Sequence, residues 1–204
     1  MKTKIILPII LSLVVLVNTY STLSAEEKNY KIIKLVNDQV ITNYDLEQRL
    51  KLYATLNNAN INNENIDKLA SEMLNLMVDE RLQLEQINLY NISVSNTDVD
   101  DYINRAFLNE GDKLIDFTNS LNENNIDISI LKKSIKIILG WNELAGRLYY
   151  RTSEISNIDL ANLMKENVSL SKEQAQNTLI QRQIELRAKK LLRDIRVEAN
   201  IENR

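Results

Sequence analysis

Two adjacent acidic pairs, Asp79-Glu80 and Asp100-Asp101, come closest to the residue types that perform acid–base chemistry or bind metal ions. Both pairs fall in segments with helical spacing, and neighbouring side chains on a helix diverge rather than converge on a shared proton or ion. The sequence also contains no histidine, which excludes Ser-His-Asp and Cys-His catalysis and histidine-ligated metal sites. We therefore predict a protein that is not an enzyme and that uses no catalytic residue, cofactor or metal ion.

The first 25 residues have the pattern of a secretory signal peptide. Lys2 and Lys4 precede an apolar stretch from Ile5 to Val17, and the small residue Ala25 stands at the cleavage point. The apolar stretch is shorter than the ~20 residues that a membrane span needs, so we expect an exported protein without a stable membrane anchor. The net charge of −3 argues against binding of nucleic acid.

The segment from Val36 to Leu50 predicts a strand that leads into a helix. Aliphatic residues surround the turn-forming pair Asn37-Asp38. Thr42 and Asp45 have the spacing of a capping box, which predicts that a helix begins there. Ile195–Glu202 is the only other strand-like segment. We therefore predict that it pairs with residues 31–41 and joins the two ends of the mature chain.

The rest of the chain predicts helices. Asn63 or a neighbour can cap a helix over residues 64–88, and Ser95 begins another that ends at Gly111. Asp127 caps the most apolar helix, over residues 128–149, and its two apolar faces predict a central position. A capping box at Ser171 begins the last long helix. Shorter helices are predicted at residues 114–121 and from Ser153 or Ser156 through Lys165, and the last long helix is predicted at residues 171–193.

Several of these segments occur in an order that resembles the SurA-type periplasmic chaperone domain. That family begins with a strand, an Asn-Asp or Asn-Glu turn and a capped helix, as Val36–Leu50 does. Met77–Leu84 resembles its second helix, and Ile92–Asp100 resembles the start of its third, with Asn91 where the family usually has glycine. Lys190–Ile201 is similar to the family's C-terminal segment. The resemblance implies a mostly α fold, a multi-helix cradle with a small antiparallel strand pairing between the two ends of the mature chain.

The resemblance also implies how the chain is divided. After the signal peptide at residues 1–25, it implies a helical chaperone region at 26–151 and a C-terminal helix and strand at 171–204 that complete the same domain. Family members usually carry one or two parvulin-type prolyl isomerase domains before the C-terminal helix. Here that gap is a short junction at residues 152–170, and the sequence lacks the histidine that a parvulin active site contains. We therefore expect the chaperone core alone.

The function that the resemblance implies is a non-catalytic periplasmic holdase for unfolded outer-membrane β-barrel proteins. Barrel strands alternate apolar and polar residues, so their chaperone needs an adaptable apolar groove, to which methionine is suited. The candidate peptide-binding residues are Tyr53, Met73, Met77, Phe107, Phe117, Trp141, Tyr149 and Tyr150.

Each candidate residue also has an interpretation as part of the core, because apolar stripes at helical spacing usually pack inward. That interpretation is favoured for each candidate taken singly and most strongly for Met77 and Trp141, whereas Tyr149 and Tyr150 are the pair expected to be accessible. Two other functions stay open: an adaptor or structural module of the cell envelope that binds one folded partner, and, less favoured, a degenerate peptidyl-prolyl isomerase. The sequence also leaves open whether a second copy of the chain, in a homodimer, fills the groove.

Overall fold

A computed structural model describes residues 30–62 and 64–204 of the chain. The predicted signal peptide and Asn63 lie outside the described residues. The elements are, in order, β1 (Ile32–Val36), β2 (Gln39–Thr42), α1 (Asn43–Asn57), α2 (Ile66–Leu89), α3 (Asn96–Phe107), α4 (Leu114–Glu123), α5 (Ile128–Tyr149), a 3₁₀ turn (Tyr150–Thr152), α6 (Asn157–Glu166), α7 (Lys172–Glu198) and β3 (Ile201–Asn203). The mostly α fold class is confirmed.

Side-chain caps begin the helices where the sequence predicts them. The Thr42 hydroxyl accepts a hydrogen bond from the Asp45 backbone N–H at 3.1 Å, and the Asp45 carboxylate accepts from the Thr42 N–H at 2.9 Å. The same reciprocal box begins α3 at Ser95 and α7 at Ser171. The Asp127 side chain caps α5. Each cap pairs N–H groups of a first helical turn, which have no partner within the helix itself.

The sheet corrects one prediction about the strands and confirms another. The C-terminal segment is not the only partner of the first strand, because β1 pairs with β2 across the Asn37-Asp38 turn. β3 pairs with the opposite edge of β1, so that Val36 lies opposite Ile201, and the strand order is β2-β1-β3. The two ends of the described chain therefore meet, as predicted.

Residues 195–198, predicted as part of a strand, are instead the last turn of α7. Ile195 packs into the apolar cluster beneath the sheet, whereas Val197 is 80% exposed. Ile195 continues the buried helical face of Leu191 and Leu192, four and three residues earlier. The prediction was wrong because a short alternation fits either geometry, and packing of the preceding helix decides between them.

Asn37 joins the hairpin to two distant elements. It has the left-handed backbone conformation, with φ 49°. Its backbone N–H donates to the Asn200 carbonyl at 2.8 Å, and its side-chain oxygen accepts from the Asn200 N–H at 2.9 Å. Its side-chain nitrogen donates to the Glu85 carboxylate of α2 at 2.8 Å. One side chain at the turn thus bonds both the C-terminal segment and the longest helix of the first half.

α5 lies at the centre of the helices, as its two apolar faces predict. It packs against α1, α2, α3, α4 and α7. One face contributes to a cluster between α2, α5 and α7, and the other to a cluster between α1, α3, α4 and α5. A third cluster lies beneath the sheet, and a fourth joins α6 to the first half of α7.

The contact between α2 and α5 is closest at Gly140. A β-carbon built at this glycine would lie 3.1 Å from the Ile87 δ-carbon and 3.3 Å from each of its two γ-carbons. Ile87 is 6% exposed and packs in the apolar cluster between α2, α5 and α7. Gly146, six residues later on the same helix, has no such neighbour within 4 Å.

We expect opposite effects from alanine at these two glycines. Gly146→Ala should raise the free energy of unfolding by about 0.5–1 kcal/mol, because glycine lowers helix stability. Gly140→Ala should lower it by about 1 kcal/mol, because overpacking a buried contact costs about 1–3 kcal/mol and exceeds the helical gain. Urea denaturation of the two variants measures the difference. Equal stabilisation by both variants would show that the Ile87 side chain moves away from the added methyl group at no cost in stability.

Asn37→Gly isolates the side-chain bonds of the hairpin turn. Glycine accepts the left-handed backbone, so the variant should lose only the bonds to Asn200 and Glu85, at a cost of about 1–2 kcal/mol. Asn58→Gly is the matched control, because Asn58 also has positive φ (47°) and its side chain forms no hydrogen bond within the described residues. The control should change stability by less than about 0.5 kcal/mol. Similar thermal melting of the two variants would refute a stabilising role for the Asn37 side chain.

Candidate peptide-binding surface

The structure distributes the eight predicted binding residues over several places. Met73 and Met77 lie on α2 and are 7% and 3% exposed. Met77 packs with Val78 and Leu82 beneath the sheet. Its flexible side chain fills the space between α2 and the hairpin, so it belongs to the core of this conformation rather than to an open groove.

The two phenylalanines form a separate contact. Phe107, at the end of α3, stacks on Phe117 of α4 with ring centroids 6.2 Å apart and an interplanar angle of 14°. Both are half-buried against the cluster of α1, α3, α4 and α5. Tyr53 is half-buried on α1. The three residues do not line the same depression as Trp141.

Trp141 lies at the floor of a groove between α2, α5 and α7. The groove has a volume of about 460 Å³. Ala145 of α5 and Ala188 of α7 also line it, and their short side chains leave room between the two helices. Ile184 and Leu192 complete the apolar lining from α7. Trp141 itself is 8% exposed, so it contributes both to the core and to the groove surface.

The charged side chains of Glu185 and Lys189 on α7 line the groove beside this apolar floor, as do three side-chain amides. The amides belong to Gln83 of α2, Asn142 of α5 and Gln181 of α7. Within residues 30–62 and 64–204, none of the three amides forms a hydrogen bond with another residue. Each amide has two N–H donors and one acceptor oxygen, which are the groups that complement the backbone of an extended peptide. The groove, called the Trp141 groove below, therefore combines apolar burial with free hydrogen-bonding capacity.

Tyr149 and Tyr150 differ in their surroundings. The Arg187 guanidinium lies 5.9 Å from the centroid of the Tyr149 ring, within the range of a cation–π contact. Burial raises the pKa of the Tyr149 phenol, nearby Tyr90 raises it further, and Arg187 opposes the increase. Tyr150 is 57% exposed. Tyr150 is therefore an accessible surface residue, whereas Tyr149 is held against α7.

Arg187 also fixes the junction that follows α5. Its guanidinium donates to the Thr152 hydroxyl at 2.6 Å and to the Thr152 carbonyl at 3.0 Å. Gln183, one turn earlier on α7, donates to the Glu154 carbonyl at 2.5 Å. These bonds attach residues 152–154 to α7, close to the Tyr149 ring.

Sequence reasoning identified one residue of the Trp141 groove and missed its polar rim. Gln83, Asn142 and Gln181 are ordinary polar helix residues, and no pattern in the sequence brings them together. Asn142 follows Trp141 directly, and polar residues beside an apolar stripe mark the boundary of a buried face. Such a boundary can indicate the polar edge of a groove. Only the packing of α2, α5 and α7 shows that the polar edges of the three helices lie around the same groove.

The described residues offer neither a membrane-spanning helix nor a cluster of metal ligands. None of the helices that the structure describes combines the length and apolarity that a membrane span requires. Likewise, no three acidic side chains in residues 30–62 and 64–204 come together as a set that could hold a metal ion.

Comparison with known families gives one match. The family model for SurA-like N-terminal domains matches residues 1–144, which extend through β1 and β2 and as far as Leu144 in α5. No curated protein matches the chain. The segment Lys190–Ile201 lies beyond the match, so its resemblance to the family stays a prediction. The match covers well over half of the sequence, and the chain therefore belongs to the SurA-like N-terminal domain family, which is a non-catalytic chaperone module.

Proposed function

We propose that the protein is a periplasmic holdase that binds unfolded segments of outer-membrane β-barrel proteins in the Trp141 groove. The observation that carries this proposal is the meeting of an apolar floor with the three unpaired amides of Gln83, Asn142 and Gln181. Family membership supports a chaperone-type role, and SurA-like proteins are typically periplasmic.

The chemistry of the groove suits an unfolded barrel strand. Such a strand presents apolar side chains on alternate residues, and these can be buried against Trp141, Ile184 and Leu192. The backbone of an extended segment also carries N–H and C=O groups without partners, which the rim amides can pair. Main-chain pairing gives affinity without a sequence requirement. The groove can therefore hold many sequences, and holding makes and breaks no covalent bond.

Suppression of aggregation tests the holdase function directly. A denatured outer-membrane barrel protein is diluted from urea with and without an equimolar amount of the protein, and light scattering is recorded. We expect scattering to fall strongly, because bound segments are removed from intermolecular association. If the protein protects no unfolded client but captures one folded partner from envelope extract, it is an adaptor and the holdase proposal is wrong.

Trp141 provides a second test, because it is the only tryptophan in the sequence. Addition of a tryptophan-free peptide with a barrel-strand pattern should shift its fluorescence emission. The double variant Asn142→Ala/Gln181→Ala should weaken peptide binding about tenfold, because each lost hydrogen bond contributes about 0.5–1.5 kcal/mol.

The control variant for this titration is Asn162→Ala/Asn177→Ala. These two amides are exposed on α6 and α7 and do not line the groove. The control should bind peptide as the unmodified protein does. Equal affinities of the groove variant and the control would place the peptide elsewhere on the molecule.

A further inference from the structure

A second depression lies between the C-terminal end of α2 and the first half of α5. Its volume is about 270 Å³, and its apolar lining consists of Leu84, Ile87, Ile92, Val94 and Ile137. It is smaller than the about 300–1,000 Å³ that drug-sized ligands occupy. Its size therefore suits a single large side chain rather than a whole peptide segment. We call it the Ile137 cleft.

The wall of the Ile137 cleft is built by the way in which α2 ends. Asn91 has a left-handed backbone, with φ 52°. The Ile92 N–H donates to the Ile87 carbonyl at 2.9 Å, and the Asn91 N–H donates to the Asn88 carbonyl at 3.1 Å. This pair of bonds is a Schellman motif, which folds the chain back over the last helical turn. Ile92 is thereby fixed beside Ile87, and the cleft has a rigid apolar wall.

The charged groups that line the Ile137 cleft are all positive. Lys133 and Lys136 line it from one side of α5, three residues apart. Among the described residues, neither ammonium group takes part in an ion pair, whereas the adjacent Lys132 pairs with Asp100 at 2.7 Å. No acidic residue lines the cleft. The Ser93 hydroxyl and the Asn88 side-chain amide also line it and have no hydrogen bond within the described chain.

These features define a ligand with an apolar part and an adjacent anionic group. An apolar side chain would fill the cleft, and a carboxylate beside it would meet two unpaired lysines and two free hydrogen-bond donors. The C-terminal residue of a polypeptide has both parts, since its side chain and its α-carboxylate leave the same α-carbon. An internal residue of the same type has no such charge.

We infer that the Ile137 cleft binds the C-terminal residue of an unfolded chain, with its side chain in the apolar cleft and its α-carboxylate against Lys133 and Lys136. This inference rests on the proposed function, because the ligand is an unfolded polypeptide. The cleft is separate from the Trp141 groove, since the two share no lining residue. A chain held at both places would be bound by its end and by an internal segment.

Two fluorescent peptides that differ in one group test this assignment. Both have the same polar sequence and a C-terminal phenylalanine, and one ends in a free carboxylate whereas the other ends in an amide. Fluorescence anisotropy should show about fivefold tighter binding of the acid, the expected contribution of ion pairs at an accessible site. A third peptide, with a C-terminal serine carboxylate, should bind more weakly than the phenylalanine acid.

Variants of the lysines assign the effect to the cleft. Lys133→Gln/Lys136→Gln should reduce the acid-to-amide ratio to about one and leave the affinity for the amide unchanged. Lys165→Gln/Lys172→Gln removes the same charge from exposed positions on α6 and α7 and should leave the ratio unchanged. Circular dichroism of both variants checks that the helices are retained, and the two single lysine variants should each lose part of the ratio.

Each contrary result has a distinct meaning. Equal binding of acid and amide by the unmodified protein would overturn the chain-end assignment and leave the proposed function standing. A ratio that survives in the Lys133/Lys136 variant would also overturn it, since the carboxylate would then bind elsewhere. Displacement of both peptides equally by octanoate would assign the cleft to free fatty anions instead. Failure of both peptides to bind would overturn this inference, whereas the proposed function is decided separately by the aggregation assay and the barrel-strand titration of Trp141.

Discussion

The contact of Ile87 with Gly140 is the constraint on which both candidate surfaces depend. Because Gly140 has no side chain, the Ile87 side chain packs directly against the backbone of α5, and α2 and α5 meet at short distance. The Trp141 groove opens beside this contact where α7 joins the pair, and the Ile137 cleft opens where α2 ends. A change in the separation of α2 and α5 would therefore reshape the Ile137 cleft, and it would also move Gln83 relative to the α5 and α7 residues of the Trp141 groove.

Local chemistry made much of the fold predictable. Thr42, Ser95, Asp127 and Ser171 begin helices because a side-chain oxygen and a nearby backbone N–H are close in sequence, and no distant residue is needed to recognise them. The central position of α5 followed from its two apolar faces. The last turn of α7 was not predictable in this way, because Ile195 is held in a helix by contacts with the sheet and with α2, which lie far away in the sequence.

The candidate site was less predictable than the fold, for the same physical reason. Helical spacing indicates that Trp141 is covered, but it does not indicate which residues cover it or how completely. The Trp141 groove exists because Ala145 and Ala188 face each other across two helices, and its rim requires Gln83, Asn142 and Gln181 to come from three different helices. Met77 was misleading in the opposite direction. Methionine suits an adaptable binding surface, but here its side chain fills the core.

The pairing of β1 with β3 has a consequence for the time course of folding. The Lys34 ammonium bonds the Asn203 side chain across 169 residues of sequence, and contacts of such separation form slowly because a long loop must close first. During synthesis the β1–β2 hairpin can form first, and the other edge of β1 stays unpaired until residues 201–203 have been made. Val36 is fully buried in the folded molecule, yet its β3 partner, Ile201, lies far along the chain from it. Completion of the sheet is thus a late step in folding, because the third strand can pair only after the helices between β2 and β3 have been synthesised.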